Sequence, residues 1–308
     1  MTSTALSVSG LTKRFGDRTV VDALDIELPS GVVAGFVGPN GAGKTTTMAM
    51  LLGLVRPTSG TGTVLGHSIE EPATYLPRVG ALIESPAFYP SLSGAENLRM
   101  LAIVGGHHPS TIPVLLERVG LDKRGDDRYR SYSLGMKQRL GIAAALLGDP
   151  ALLILDEPAN GLDPQGVRGM RALVGELAGT GRTVLVSSHD LSELEQVCDW
   201  LVLIDTGRSL YQGPTADLLC GDASSLAVVA QRPDDHVSLR DVLVDRRYDV
   251  QIDEGRLVVH IVGSDDVGEL AASVNRIAFD AGIVLVELSP QRSSLEDRYL
   301  SMVHGGAR

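Results

Sequence analysis

An α/β fold built on a largely parallel sheet, followed by a smaller α+β unit, is what three stretches of this sequence predict. In the first, the apolar run Val32–Val37 meets a glycine-rich loop and then a helical pattern from Thr46 to Leu52. In the second, four large apolar residues, Leu152–Leu155, are closed by Asp156, Glu157 and Pro158, as in a strand buried on both faces. In the third, residues 225–288 alternate strand and helix periods in the order strand, helix, strand, strand, helix, strand.

Composition narrows the class. With 308 residues, 44% hydrophobic and 21% charged, the chain has room for one large domain and a small one, and disorder is excluded. The 27 basic residues stand against 38 acidic ones, and the formal charge of -11 repels a phosphate polymer, so no nucleic-acid partner is expected. Cys198 and Cys220 form no C-x-x-C pair and have no histidine cluster beside them, which fits plain thiols in a reducing compartment. Residues Met1–Leu6 lack the basic start and apolar core of a secretory signal, so a cytoplasmic protein is expected. The most apolar stretch, Ile142–Leu155, is broken by Gly148-Asp149-Pro150 and falls short of the roughly 20 residues that span a bilayer. A membrane role must therefore run through a partner.

The chain opens with a strand pair, Leu6–Leu11 and Thr19–Leu28, around the turn Gly16-Asp17. Phe15, just before that turn, suits either stacking on a base or simple packing. Next, Gly38-Pro39-Asn40-Gly41-Ala42-Gly43-Lys44-Thr45-Thr46 fits the phosphate-loop pattern G-x-x-x-x-G-K-[ST], and it sits between a strand and a helix as that motif requires. Its small residues let backbone N–H groups surround a phosphate, and the helix adds its positive end. Lys44 is placed to neutralise terminal phosphates and the Thr45 hydroxyl to hold Mg²⁺. Residues 60–66 have the spacing G-x-G-x-x-x-G with no helix behind them, which rules out a dinucleotide fingerprint. A short strand over 79–83 ends at Glu84, either a metal-side carboxylate or a solvated strand end.

From Ser93 to Leu147 the period turns helical, over 95–101, 112–119 and 134–147, and reads as an inserted lobe. Its third helix starts at Ser133, a capping residue, in the sequence Ser133-Leu134-Gly135-Met136. The strand at 152–155 directs Asp156 and Glu157 out of its carboxyl end, where ligands sit in parallel sheets. One acid can hold Mg²⁺ and the other can take a proton from an attacking water. A loop containing Asp163 leads to a helix over about 166–177, and the strand Thr183–Ser188 ends at His189, a candidate γ-phosphate sensor.

With these features in this order, the sequence resembles the ATP-binding subunit of an ABC transporter, over residues 1 to about 220. Gly38–Thr46 look like the Walker A loop, Ile154–Glu157 the end of Walker B, Gly161-Leu162-Asp163 the D-loop, and His189 the switch histidine. Phe15 sits where the family places its adenine-stacking aromatic. The chain departs from the pattern in two places. Tyr132-Ser133-Leu134-Gly135-Met136 stands where the signature reads L-S-G-G-Q, and Glu84 stands where a metal-side Gln is usual. Both features, with the loop Glu84–Pro90, are similar to the bacitracin-resistance and lantibiotic-immunity type of exporter. The resemblance implies ATP and Mg²⁺ as ligands, Glu157 and His189 as catalytic groups, and Thr45, Asp156 and Glu84 on the metal side. It also implies a separate membrane subunit, peripheral attachment at the inner face of the cell membrane, and a head-to-tail pair of ATP-binding subunits. In that pair Ser133, Leu134, Gly135 and Met136 serve the partner's nucleotide. A soluble ABC ATPase acting on ribosomes or DNA is the alternative; such proteins typically carry two fused cores or a long coiled-coil insertion.

The domain expectation is an ATP-binding domain over 1–220, with its helical lobe over about 85–150, and an accessory domain over 221–308. In the latter, strands at 225–231, 249–253, 256–262 and 283–288, with helices at 236–246 and 267–281, give a ferredoxin-like order. A hairpin turn at Asp253-Glu254-Gly255 and a capped amphipathic helix over 294–303 complete it.

Overall fold

The computed structural model describes residues 3–84, 86–219, 225–253, 255–260, 267–291, 295, 296, 298, 299 and 302. The chain divides into two compact units, one built on residues up to Thr215 and one on Ala216–Ser301.

The first unit opens with β1 (Thr4–Phe15) and β2 (Arg18–Pro29), an antiparallel pair turning at Gly16. In β2, Leu24, Ile26 and Leu28 are buried while Asp25 and Glu27 are exposed, the period of a strand with one wet face. β3 (Val33–Val37) is buried at every residue and leads through the phosphate loop into α1 (Lys44–Leu51). β4 (Ser59–Val64) returns beside β1 and folds back on β5 (His67–Ser68), so the glycines of 60–66 serve a hairpin. These strands form a sheet ordered β2-β1-β4-β5.

β6 (Val79–Leu82) precedes three helices, α2 (Gly94–Val104), α3 (Ile112–Arg118) and α4 (Leu134–Ala145). Then come β7 (Leu152–Leu155), α5 (Pro164–Ala178), β8 (Thr183–Ser188), α6 (Leu191–Glu195), β9 (Trp200–Asp205) and β10 (Arg208–Pro214). The six-stranded sheet runs β10-β9-β3-β8-β7-β6, parallel throughout except for the β9–β10 hairpin. Sequence periodicity does not isolate β9 and β10, yet β9 lies next to β3. α5 starts at Pro164, ahead of the expected Gly166, because the Asp163 carboxylate accepts from the Gly166 N–H at 2.7 Å and proline suits the first helical position.

Local chemistry secures the helical lobe. Ser93 caps α2 in a reciprocal box: its hydroxyl accepts from the Glu96 N–H at 3.2 Å, and its own N–H donates to Glu96 Oε2 at 2.7 Å. The Ser93 N–H also holds the Glu96 carboxyl below the usual carboxylate range. Tyr129 stacks edge-on against Phe88 and donates its hydroxyl to Pro86 O, so the loop after β6 is tied to the lobe just ahead of α4.

α7 (Thr215–Leu219) leads into the second unit. It contains β11 (Ser225–Ala230), α8 (Asp235–Asp245), β12 (Val250–Asp253), β13 (Arg256–His260), α9 (Val267–Asp280) and β14 (Leu285–Gln291). Its sheet is ordered β12-β13-β11-β14 with every pair antiparallel, the ferredoxin-like arrangement. Leu226, Val228, Leu257 and Val259 face Leu239, Leu243, Val274 and Ile277 in a core of its own. The expected helix over 294–303 falls mainly outside the described residues, as do Glu254, Ser85 and Cys220. Among the described residues no helix is long and apolar enough to cross a membrane.

Ser93→Ala removes the acceptor for the Glu96 N–H while leaving the Glu96 side-chain contact in place. A loss of about 1 kcal/mol is expected, measured by urea denaturation against the parent chain.

Candidate active site

The phosphate loop is shaped by two glycines in the left-handed region. Gly41 has φ 85° and Gly43 φ 101°, and a Cβ on Gly43 would lie 2.8 Å from Val20 O on β2. Gly43 occupies the N-cap of α1, where no side chain bonds the free N–H groups and no acid stands in the first turn. Those donors and the positive helix end are left for an anion, so the loop fits a phosphate. A cleft of about 330 Å³ opens here, lined by Asn40, Gly41, Lys44, Thr46, Glu157 and Asn160 together with Arg18 and Val20 of β2. Arg18 and Val20 were not legible as site residues, since nothing local distinguishes them from other hairpin positions.

Parallel pairing brings the strand ends together. Val37 stands opposite Ser188 and Leu155 opposite Val186, so the residues just beyond β3 and β7 meet the end of β8. Asp156 is buried and doubly satisfied: it accepts from Thr45 Oγ1 at 2.7 Å and from Ser187 Oγ at 2.5 Å. Ser187 Oγ in turn accepts from the Glu157 N–H at 2.9 Å. That bond helps hold Glu157 at φ 49°, in a conformation rare for a residue with a side chain. The Glu157 carboxylate then lies 3.2 Å from Lys44 Nζ and 2.7 Å from His189 Nδ1. Lys44 is only 6% exposed and also donates to Gly38 O at 2.7 Å. The structure thus brings Lys44, Thr45, Asp156, Glu157 and His189 into one cluster, with Ser187, unrecognised in the sequence, at its centre.

The hydroxyl and carboxylate of Thr45 and Asp156 are hard oxygen donors of the kind Mg²⁺ prefers, and they already point at each other. Asp190, next to His189, is a cap instead. It accepts from the Ser192 N–H at 2.9 Å and the Glu193 N–H at 3.3 Å, and the Ser192 hydroxyl holds its carboxyl below the usual range.

Other expected site residues lie apart from this cluster. Phe15 is 52% exposed, with Lys13 Nζ 4.9 Å from its ring centroid. Glu84 is exposed at φ 58°, and among the described residues no hydrogen bond or ion pair links it to Thr45 or Asp156. Ser133 spends its hydroxyl on capping α4, accepting from the Met136 N–H at 3.3 Å. Ser133, Leu134, Gly135 and Met136 do not line the cleft at Lys44, and Leu134 is 43% exposed. Asp163 caps α5.

Residues 21–160 match the family model described as ABC transporter, and residues 227–296 match a domain of unknown function. The chain is 39% identical to the bacitracin transport ATP-binding protein BcrA of Bacillus licheniformis, over 99% of this chain and 99% of that one. It is 40% identical to the lantibiotic transport ATP-binding protein SrtF of Streptococcus pyogenes, over 67% of this chain and 90% of that one. A solved ATP-binding subunit of an ABC transporter superposes with a TM-score of 0.62 at 30% identity, covering 70% of this chain and 91% of that one.

Ser187→Ala strips one donor from buried Asp156 and the acceptor from the Glu157 N–H. A stability loss of about 1–3 kcal/mol and a fall in nucleoside triphosphate hydrolysis are expected, read by urea denaturation and phosphate release.

Proposed function

The chain belongs to the ABC transporter ATP-binding family, whose members bind and hydrolyse ATP at a membrane partner, and from that premise we propose that it powers export of a peptide antibiotic. The observation that carries the cargo class is the match to a bacitracin transport protein across 99% of both chains, which takes in the second unit as well as the ATP-binding core. On this reading the chain works at the cytoplasmic face of the membrane and contacts no nucleic acid, in keeping with its charge of -11.

The proposed chemistry starts from the ion pair between Lys44 and Glu157. Lys44 exchanges Glu157 for a phosphate oxygen, which leaves the carboxylate free to take a proton from water. His189, released from its contact with Glu157, holds the terminal phosphate. Thr45 and Asp156 would hold Mg²⁺, which would supply positive charge to the phosphates. Phe15 offers its exposed ring to the base. On this reading each cleft is half a site, in keeping with the position of Ser133–Met136 away from the cleft of their own chain. The other half is the signature helix of a second copy, facing head to tail, with its positive end aimed at the nucleotide.

Glu157→Gln keeps the shape of the site and removes the base. With ATP and Mg²⁺ it is expected to form a dimer by size-exclusion chromatography and to turn over about 10²-fold more slowly, the scale of a positioned general base; a protein that stays monomeric counts against the head-to-tail scheme. Host cells lacking the protein should become more sensitive to bacitracin or a lantibiotic, with Glu157→Gln failing to restore resistance. Unchanged sensitivity to both overturns the cargo class.

Glu84→Gln tests the metal-side position. Since among the described residues no hydrogen bond or ion pair joins Glu84 to Thr45 or Asp156, hydrolysis should stay within about tenfold of the parent, and near-complete loss in an ATPase assay would assign Glu84 an essential part.

A further inference from the structure

Arg139 lies on α4, shortly beyond the signature residues, and its guanidinium reaches in two directions. One nitrogen donates to Val119 O at 3.0 Å, at the end of α3, where unpaired helix carbonyls attract a cation. The other, Nη2, lies beside α5: a Cβ on Gly169 would stand 2.5 Å from it, so the guanidinium occupies the space a side chain there would need. The same two segments touch again nearer the start of α4. A Cβ on Gly161 would fall 3.0 Å from Leu134 Cδ2, and one on Gly135 would fall 3.6 Å from Leu162 Cδ2. Residues 134, 135 and 139 of the signature helix therefore form a row against 161, 162 and 169 of the D-loop and its helix, within one chain.

We propose that Arg139 is a positioning residue that clasps the signature helix to the D-loop helix of its own chain. Movement of α4 onto the partner's nucleotide is thereby passed through Leu162 to the chain's own Glu157, at the head of the same loop. The inference deepens the head-to-tail reading given above and rests on it. It assigns coupling to a residue that touches no nucleotide, and to a glycine whose only distinction is the absence of a side chain.

Gly169→Ala tests this gently, since the atom it meets is the far end of a flexible side chain and the fold can keep its shape while the guanidinium is pushed off α5. In the full chain, Gly169→Ala and Arg139→Met should each lower kcat for ATP about 5- to 10-fold with KM within about twofold, the signature of misplaced rather than missing catalytic groups. The double variant should be no slower than Arg139→Met, because both changes break one contact. Arg139→Lys supplies a cation for the α3 carbonyls without the planar fork, so it should keep the melting temperature but not the turnover. Normal kcat in Gly169→Ala and Arg139→Met, additive losses in the double variant, or full rescue by Lys overturns the clasp. A monomeric Glu157→Gln protein strikes the head-to-tail reading, whereas a dimerising one beside normal clasp variants strikes this inference alone.

Discussion

The parallel pairing of β7 with β8 sets Leu155 against Val186, and that register leaves Asp156, Glu157 and Ser187 within hydrogen-bond reach of one another. β3, paired to the other side of β8, delivers the phosphate loop to the same end of the sheet. The strands are buried along their whole length, so the register is held by the apolar core, and a slip of one residue would turn every side chain to the opposite face. Site geometry is thus a by-product of burial.

Burial also sets the electrostatics. A lysine at 6% exposure and a buried aspartate are costly unless each is paired. Asp156 is satisfied by two hydroxyl donors, while Lys44 leans on two backbone carbonyls and on Glu157. The two hydroxyl donors carry no charge of their own, so they leave the carboxylate's charge available to a cation. In the proposed chemistry the Lys44–Glu157 contact is the one that exchanges, since a phosphate and the carboxylate compete for the same ammonium.

α4 stands outside this cluster and meets the loop that runs from Glu157 to α5. Leu134, Gly135 and Arg139 meet Gly161, Leu162 and Gly169. Small residues on the α5 side let the two segments approach closely, and the long Arg139 side chain bridges to α3 as well. The second unit has its own apolar core and its own sheet, and it carries none of the cluster's residues.

Local sequence carried the parts of the site whose chemistry is contiguous. The loop 38–46 shows its glycines and lysine in one run, Asp156 and Glu157 end an unbroken apolar strand, and Ser133 stands where a helix needs a cap. The meeting of Lys44, Glu157 and His189 followed from placing buried parallel strands side by side, whereas the order of the sheet, with β9 between β3 and β10, came only from the structure. Ser187, Arg18 and the pair Arg139–Gly169 were not legible, because each acts on residues distant in the chain: Ser187 on Asp156 across two strands, Gly169 on Arg139 across two helices. A buried serine at a strand end and a glycine inside a helix look ordinary in one dimension. Only the fold shows which atom fills the space beside them, and there the side-chain hydroxyl and the missing Cβ acquire their meaning.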